Sequence, residues 1–222
     1  MSAELHAARF KAVFFDLDGT LVDTEALALD CNLEVFAALG HPVAPEFLHG
    51  LVGKDGPNSA ATIRAAMPDL DMAAFESQLQ DRFAQALESG LALKPGVRAL
   101  LGAIKVPKLV VTSSSKESAA RKLAFAGIAG LFEDVITLAD VTMPKPAPEP
   151  YLVACQRLGV APKDCLVFED SETGAESAHR AGCFVVQVPD FLPSDGEWAD
   201  VLAPNLLDGA RQAGLIGAEI TG

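Results

Sequence analysis

The most constraining stretch of this chain is residues 11–23, which read KAVFFDLDGTLVD. Its apolar run, Ala12–Phe15, predicts a strand buried on both faces, as in a parallel sheet covered by helices. Two aspartates, Asp16 and Asp18, follow this run directly. Because open parallel sheets bind ligands at the carboxyl ends of their strands, both carboxylates would lie at such a site. Taken alone, the same residues also fit a simple turn, since aspartate and glycine favour turns.

The rest of the 222-residue chain alternates strand and helix patterns. Strands are predicted near residues 108–111, 134–138, 165–168 and 184–188, and helical segments separate them. This alternation is typical of an α/β protein with a three-layer, doubly wound parallel sheet. Hydrophobic residues make up 50% of the chain, which is enough to fill the core of such a sheet.

The segment from Pro42 to Leu93 interrupts the alternation, because it contains helical patterns and no convincing strand. Apolar side chains at residues 75, 79, 83 and 87 recur at a spacing of four, which places them on one face of a helix. The sequence Lys54–Pro57 predicts a flexible break. We therefore expect a core domain at residues 1–22 and 95–222, with a smaller all-α domain at residues 23–94 inserted into it.

Charge and composition restrict the partners of the chain. Its net charge of -13 argues against nucleic acid or an anionic membrane as the main partner. We find neither a signal-peptide pattern nor an apolar run long enough to span a bilayer. The four cysteines are scattered without a CxxC pair, which indicates free thiols in a reducing compartment. We expect a cytoplasmic protein that is a monomer or a weak dimer.

Polar residues follow the predicted core strands in a recurring way. One lysine lies in the loop MPKPAPEP at residues 143–150, whose prolines are expected to exclude regular structure. Because the carboxyl ends of parallel strands share one edge, the polar residues should converge there, which weakens the interpretation as a simple turn. The converging set is Asp16, Asp18, Thr112, Ser113, Lys145, Glu169 and Asp170.

This set has the chemistry of phosphoryl transfer. One carboxylate can attack phosphorus, and a second can protonate the leaving alcohol and then activate water. Four carboxylates and one lysine would present a net charge of -3 to a phosphate dianion. Each like-charge pair at about 4 Å costs on the order of 4 kcal/mol at an effective dielectric constant near 20. A divalent cation is therefore required, and oxygen ligands without histidine or cysteine suit Mg²⁺.

Four sequence motifs carry a family resemblance. They are DLDGT at 16–20, VVTSS at 110–114, KPAPEP at 145–150 and FEDSETG at 168–174. In this order they resemble the motifs of the haloacid dehalogenase superfamily of phosphohydrolases. The helical insert is similar to the α-helical cap of the β-phosphoglucomutase-like subgroup. The resemblance implies a Rossmann-like core domain with an inserted cap.

The resemblance also implies a role for each residue. Asp16 would be the nucleophile and a Mg²⁺ ligand, and Asp18 the general acid/base with its backbone carbonyl on Mg²⁺. Lys145 would stabilise both phosphate and nucleophile. Thr112 would hold the phosphate through its hydroxyl beside the amide of Ser113, although the hydroxyl of Ser113 is an alternative. The remaining implied contacts are loop amides of Gly19 and Thr20 for phosphate, and Glu169 and Asp170 for the metal.

Two departures from the family pattern bear on the reaction. Mutases of the subgroup resemble DxDGxxxDTxxxH, but the histidine position here is Ala28. They also tend to carry a cap arginine where this chain has Lys54 and Gly56, and the next arginine is Arg64. Lys54 remains a candidate contact to substrate from the cap.

We expect hydrolysis of a small phosphorylated metabolite, a sugar phosphate or sugar-acid phosphate. A phosphomutase is the alternative, and a non-catalytic phosphate-binding protein is a third reading.

Overall fold

The computed structural model of the chain describes residues 10–51 and 56–221. Within them, six strands form one sheet in the order β3-β2-β1-β4-β5-β6, and all neighbouring strands are parallel. The strands are β1 (Ala12–Phe15), β2 (Lys108–Val111), β3 (Asp134–Ile136), β4 (Cys165–Glu169), β5 (Phe184–Gln187) and β6 (Val201–Leu202). The predicted α/β class with a doubly wound parallel sheet is therefore confirmed. The strand order reverses between β1 and β4, where such sheets bind ligands.

The chain divides into two compact units, residues 1–23 with 92–222 and residues 24–91. The second unit is helical where it is described, with α1 (Thr24–Ala38), α2 (Pro45–His49), α3 (Gly56–Ala66) and α4 (Met72–Glu88). Phe36 and Phe75 lie at its centre, with ring centroids 4.4 Å apart. The predicted break at residues 54–57 is wrong for residues 56 and 57, which begin α3, because glycine and proline are both tolerated in the first turn of a helix.

The helices of the first unit cover both faces of the sheet. They are α5 (Val97–Ala103), α6 (Lys116–Phe125), α7 (Glu149–Leu158), α8 (Glu172–Ala181) and α9 (Leu206–Gln212). Successive residues of a strand point to opposite faces, so Phe14 packs with Tyr151 of α7 while Phe15 stacks on Phe168 at 5.1 Å between ring centroids. Both phenylalanines of β1 are fully buried, as the apolar run predicts.

The expectation that prolines exclude regular structure from residues 143–150 is wrong at the end of that loop. Glu149 and Pro150 form the first turn of α7, with Pro148 as its cap residue. Proline fits there because the first N–H groups of a helix have no partner within the helix.

Two short segments of the first unit run side by side where the chain leaves and re-enters it. Val22 and Leu93 form an antiparallel bridge, and the amide of Asp23 donates to the carbonyl of Ala92 at 2.9 Å. The ammonium of Lys94 lies 2.5 Å from a carboxylate oxygen of Asp190 and 3.6 Å from one of Asp23. None of the helices in the described parts of the chain is long and apolar enough to cross a membrane.

Two glycines in helices test the packing of this unit. A Cβ atom at Gly209 of α9 would lie 2.5 Å from Val186 Cγ1, whereas one at Gly102 of α5 would meet nothing within 4 Å. We expect Gly209→Ala to lower the free energy of unfolding by about 1–3 kcal/mol through overpacking. Gly102→Ala should raise it by about 0.5 kcal/mol, because alanine loses less backbone entropy. Urea unfolding measures both changes, and a shift of the same sign in both variants would contradict the packing described.

Candidate active site

A cavity of about 260 Å³ opens at the carboxyl edge of the sheet, within the first unit. Residues from the ends of β1, β2 and β4, the loop before α7 and the start of α8 meet around it. Its lining residues are Asp16, Asp18, Thr112, Ser113, Ser114, Lys145, Asp170, Ser171 and Thr173. The structure thus brings most of the predicted set together. Lys54, the candidate contact from the helical insert, lies outside the described residues.

A buried ammonium group ties two carboxylates together beneath this cavity. Lys145 Nζ lies 2.6 Å from Asp16 Oδ1, 2.5 Å from Glu169 Oε1 and 2.9 Å from the carbonyl oxygen of Val111. Burial lowers the pKa of Lys145, but the charges of Asp16 and Glu169 outweigh it and the pKa is raised. An ammonium has three donors, and all three are used here. A direct hydrogen bond from Lys145 to a phosphate would have to replace one of them.

Three acidic side chains form a cluster that fits a hard cation. Carboxylate oxygens of Asp16, Glu169 and Asp170 all lie within 4.8 Å of one another. Burial raises the pKa of Asp16, Lys145 opposes that rise, and Glu169 adds to it. The pKa of Asp170 is also raised, first by burial and then by Asp16 and Glu169. These carboxylates oppose one another's ionisation, and a purely oxygen donor set is the kind that holds Mg²⁺.

A fourth carboxylate near this cluster was missed from sequence. Asp190 Oδ2 is buried and has no hydrogen-bond partner among the described residues, while its Oδ1 contacts Lys94. This orphaned oxygen would lie 3.3 Å from a Cβ atom built on Gly19. A buried carboxylate oxygen without a donor is a further feature that fits a nearby cation. Asp190 lies just beyond β5, where no sequence motif drew attention to it.

Glu169 lies beneath the cavity rather than on its lining. Its side chain is fully buried and accepts hydrogen bonds from Lys145, the Tyr151 hydroxyl and Ser171. Burial raises the pKa of Tyr151 well above its usual value, and the neighbouring carboxylates add to this, so the phenol is a donor. A Cβ atom at Gly174 of α8 would overlap the Glu169 carboxylate, so only glycine leaves that carboxylate room. Tyr151 was missed, because an aromatic residue in an apolar helix pattern also fits ordinary core packing.

The loop after Asp18 departs from what the family resemblance implies. The amide of Gly19 donates to the carbonyl of Val22 at 3.0 Å, so in this conformation it is not available to a phosphate. The turn itself uses that donor. Gly19 has φ +82°, and a Cβ atom there would lie 2.5 Å from Asp170 Oδ2. The Thr20 hydroxyl is directed to Asp170 Oδ1 at 3.4 Å. Both residues therefore lie behind Asp170 rather than among the lining residues.

The hydroxyls that follow β2 have different partners. Thr112 Oγ1 accepts a hydrogen bond from the amide of Ser114 at 3.0 Å, and Thr112 and Ser113 both line the cavity. The hydroxyl of Ser114 donates to Asp18 Oδ2 at 2.9 Å. Ser114, which was not among the predicted site residues, is therefore the hydroxyl of this segment that contacts Asp18.

The other partner of Asp18 is a second buried lysine, also missed from sequence. Lys122 Nζ lies 2.7 Å from both carboxylate oxygens of Asp18. Lys122 is 9% exposed and shares the buried face of α6 with Ala119 and Leu123. A lysine at an apolar position of a helix was the available signal. If all groups are ionised, four carboxylates (Asp16, Asp18, Glu169 and Asp170) then face two lysines, so the net charge is -2 rather than -3, and the pair of Asp190 with Lys94 leaves this charge unchanged.

Comparisons with known proteins agree with this geometry. A family model for haloacid dehalogenase-like hydrolases matches residues 10–182. Hexitol phosphatase A of Escherichia coli is 36% identical over 187 residues, which cover 81% of this chain and 83% of that protein. The phosphorylated carbohydrates phosphatase of Thermotoga maritima is 29% identical over 78% of this chain and 82% of its own length.

Solved structures show the same fold. A Thermotoga maritima protein provisionally named a β-phosphoglucomutase superposes with a TM-score of 0.77 at 27% identity, covering 87% of this chain and 94% of its own. A mutant of CbbY from Rhodobacter sphaeroides, crystallised with xylulose-1,5-bisphosphate, gives 0.67 at 26% identity and covers 88% and 94%. The chain therefore belongs to the haloacid dehalogenase-like hydrolases and is a phosphatase of that family, as shown by the matched family model and the named relatives together with the converging carboxylates.

Proposed function

We propose that this phosphatase hydrolyses a small sugar phosphate or sugar-acid phosphate through an aspartyl-phosphate formed on Asp16. The observation that carries the proposal is the position of Asp16. Its carboxylate lies at the cavity on a side chain that is 11% exposed, 2.6 Å from the ammonium of Lys145. An ionised carboxylate oriented by a fixed positive charge can act as a nucleophile toward phosphorus.

The reaction would proceed in two displacements. In the first, a bond forms between an Asp16 oxygen and phosphorus while the bond to the leaving oxygen breaks, and Asp18 gives that oxygen a proton. In the second, Asp18 takes a proton from water, whose oxygen attacks phosphorus and releases Asp16 and inorganic phosphate. Thr112 and Ser113 would hold phosphate oxygens. Mg²⁺ bound by Asp16, Glu169 and Asp170 would neutralise charge on the phosphate.

The start of α8 adds a second reason to place a phosphate here. Ser171 caps this helix by accepting from the amide of Gly174, and Ser171 and Thr173 both line the cavity. The amino end of a helix favours anions, because its first N–H groups carry a partial positive charge. The names of the hexitol and phosphorylated carbohydrate phosphatases support a sugar phosphate as substrate.

A phosphomutase is the second candidate, favoured by the structural likeness to the protein provisionally named a β-phosphoglucomutase. A mutase must hold a second phosphate while the intermediate reorients. Ala28 stands where the mutase pattern has histidine, and no arginine follows Gly53 before Arg64. Both departures favour hydrolysis over group transfer within one sugar.

We extend the proposal to residues 24–91, which would act as a substrate-selecting cap domain. The paired segments at residues 21–23 and 92–94 are short, and a unit attached through two such segments can move as one body. Substrate selection would then depend on the helical unit, whereas the chemistry depends on the α/β unit.

A panel of phosphorylated metabolites tests the reaction. With Mg²⁺ present, we expect inorganic phosphate to be released from one or more hexose, hexitol, pentose or sugar-acid phosphates. The mutase alternative predicts an isomerised sugar phosphate without phosphate release, which chromatography of the products distinguishes. Absence of both products across the panel would contradict the proposal.

Asp16→Asn tests the covalent step. An amide is a poor nucleophile, so turnover should fall by at least about 10³-fold if attack by Asp16 is required. Binding of Mg²⁺, followed by calorimetry, should be weakened but not lost, because Glu169 and Asp170 remain. Substantial phosphate release by this variant would rule out an aspartyl-phosphate on Asp16.

Removal of metal tests the charge argument. EDTA should abolish phosphate release, and added Mg²⁺ should restore it. At Mg²⁺ about 100-fold above its dissociation constant, binding to the folded state should add about 2.7 kcal/mol to the free energy of unfolding. Asp170→Asn should reduce this gain, whereas Asp195→Asn, an exposed change elsewhere in the same unit, should leave it unchanged. Full activity in EDTA would contradict a metal requirement.

A further inference from the structure

We propose that Lys122 is a positioning residue for Asp18, holding its carboxylate in the orientation that proton transfer to the leaving group requires. The inference rests on the proposed function, since it assumes that Asp18 exchanges protons with substrate and water. The family motifs do not include Lys122, and it does not line the cavity. It acts on the reaction only through the residue that it contacts.

The contacts of Lys122 all involve one small group of atoms. Its ammonium lies 2.7 Å from each oxygen of Asp18 and 3.0 Å from Ser114 Oγ. Ser114 Oγ in turn donates to Asp18 Oδ2. A lysine has three donors, and these three contacts use them. Lys122 therefore has no donor left for a phosphate oxygen in this arrangement.

Burial explains why this contact should be rigid. The side chain of Lys122 is 11% exposed, while that of Asp18 is 30% exposed at the cavity. Withdrawing an ammonium group from water is costly unless it is paired, so Lys122 favours the conformation in which it contacts Asp18. α6 supplies the anchor, because Ala119 and Leu123 pack its buried face into the core.

An unrestrained aspartate at a cavity edge can occupy several staggered rotamers. Contacts from Lys122 and Ser114 reduce this freedom and leave the carboxylate facing the same cavity as Asp16. Proton transfer is sensitive to such placement, and a displacement of about 1 Å can cost roughly 10²-fold in rate. Losing Lys122 should therefore impair the steps that use Asp18 and spare those that do not.

Two substrates separate these steps. The alkoxide of glycerol 2-phosphate needs a proton as it leaves, whereas the anion of p-nitrophenyl phosphate leaves without one. The value of kcat/KM reports formation of the aspartyl-phosphate and does not include its hydrolysis. For Lys122→Met, we expect kcat/KM to fall about 10–100-fold with glycerol 2-phosphate and less than about threefold with p-nitrophenyl phosphate.

Lys116→Met is the matched control. It makes the same change of charge and shape on the same helix, but Lys116 is exposed at the first turn of α6. Both kcat/KM values should be unchanged. In an Asp18→Asn background, Lys122→Met should cause no further loss, because residues that act through one group are not additive.

Equal losses with both substrates would overturn the inference, since they would show that Lys122 acts on the phosphate or on the fold as a whole. No loss with either substrate would overturn it too. Thermal unfolding verifies that the variant is folded. If Lys122→Met fails to fold, Lys122→Gln is measured instead, because it removes the ammonium group but keeps a polar side chain at this position; a loss confined to glycerol 2-phosphate supports the inference, and any other result overturns it.

The proposed function can fail separately. If Asp18→Asn lowers kcat/KM equally for both substrates, Asp18 is not the proton donor and the proposed mechanism is wrong. If Asp18→Asn discriminates between the substrates and Lys122→Met does not, only the role of Lys122 is wrong.

Discussion

The site depends on one buried ammonium group, that of Lys145, between Asp16 and Glu169. Both carboxylates sit at the ends of the adjacent strands β1 and β4, where Asp16 is 8% exposed and Glu169 is fully buried. Removing one member of such a group typically costs about 3–5 kcal/mol, because the remaining charge is left unpaired. Loss of any one member would therefore destabilise this sheet edge as well as disorient the nucleophile, and the loop carrying Lys145 is held to the carbonyl of Val111 as well.

Close approach is the second constraint, and glycine makes it possible. Asp170 lies against Gly19, and Glu169 against Gly174, at separations that a side-chain carbon would prevent. These two glycines leave the room that three carboxylates need to gather within 4.8 Å. The acidic cluster is thus a product of backbone packing as much as of motif spacing.

The convergence of Asp16, Thr112, Lys145 and Asp170 could be predicted, because parallel strands place their carboxyl ends at one edge and the motif order specifies which strands these are. Residues that act from behind the site could not be predicted in this way. Lysine is usually a surface residue, so the burial of Lys122 at an apolar position of α6 depends on packing that the motifs do not describe. The Gly19 amide was assigned to phosphate because a motif does not reveal that its own turn uses the donor.

The bridge between Val22 and Leu93 has a thermodynamic consequence for the helical unit. The segments that flank that unit are hydrogen-bonded to each other. For the folding of the sheet, residues 24–91 are therefore equivalent to a loop whose two ends are already joined. The entropy of closing a loop grows only with the logarithm of its length, by about 0.6 kcal/mol for each doubling. An inserted unit of quite different size or sequence could therefore occupy this place at little cost to the folding of the sheet.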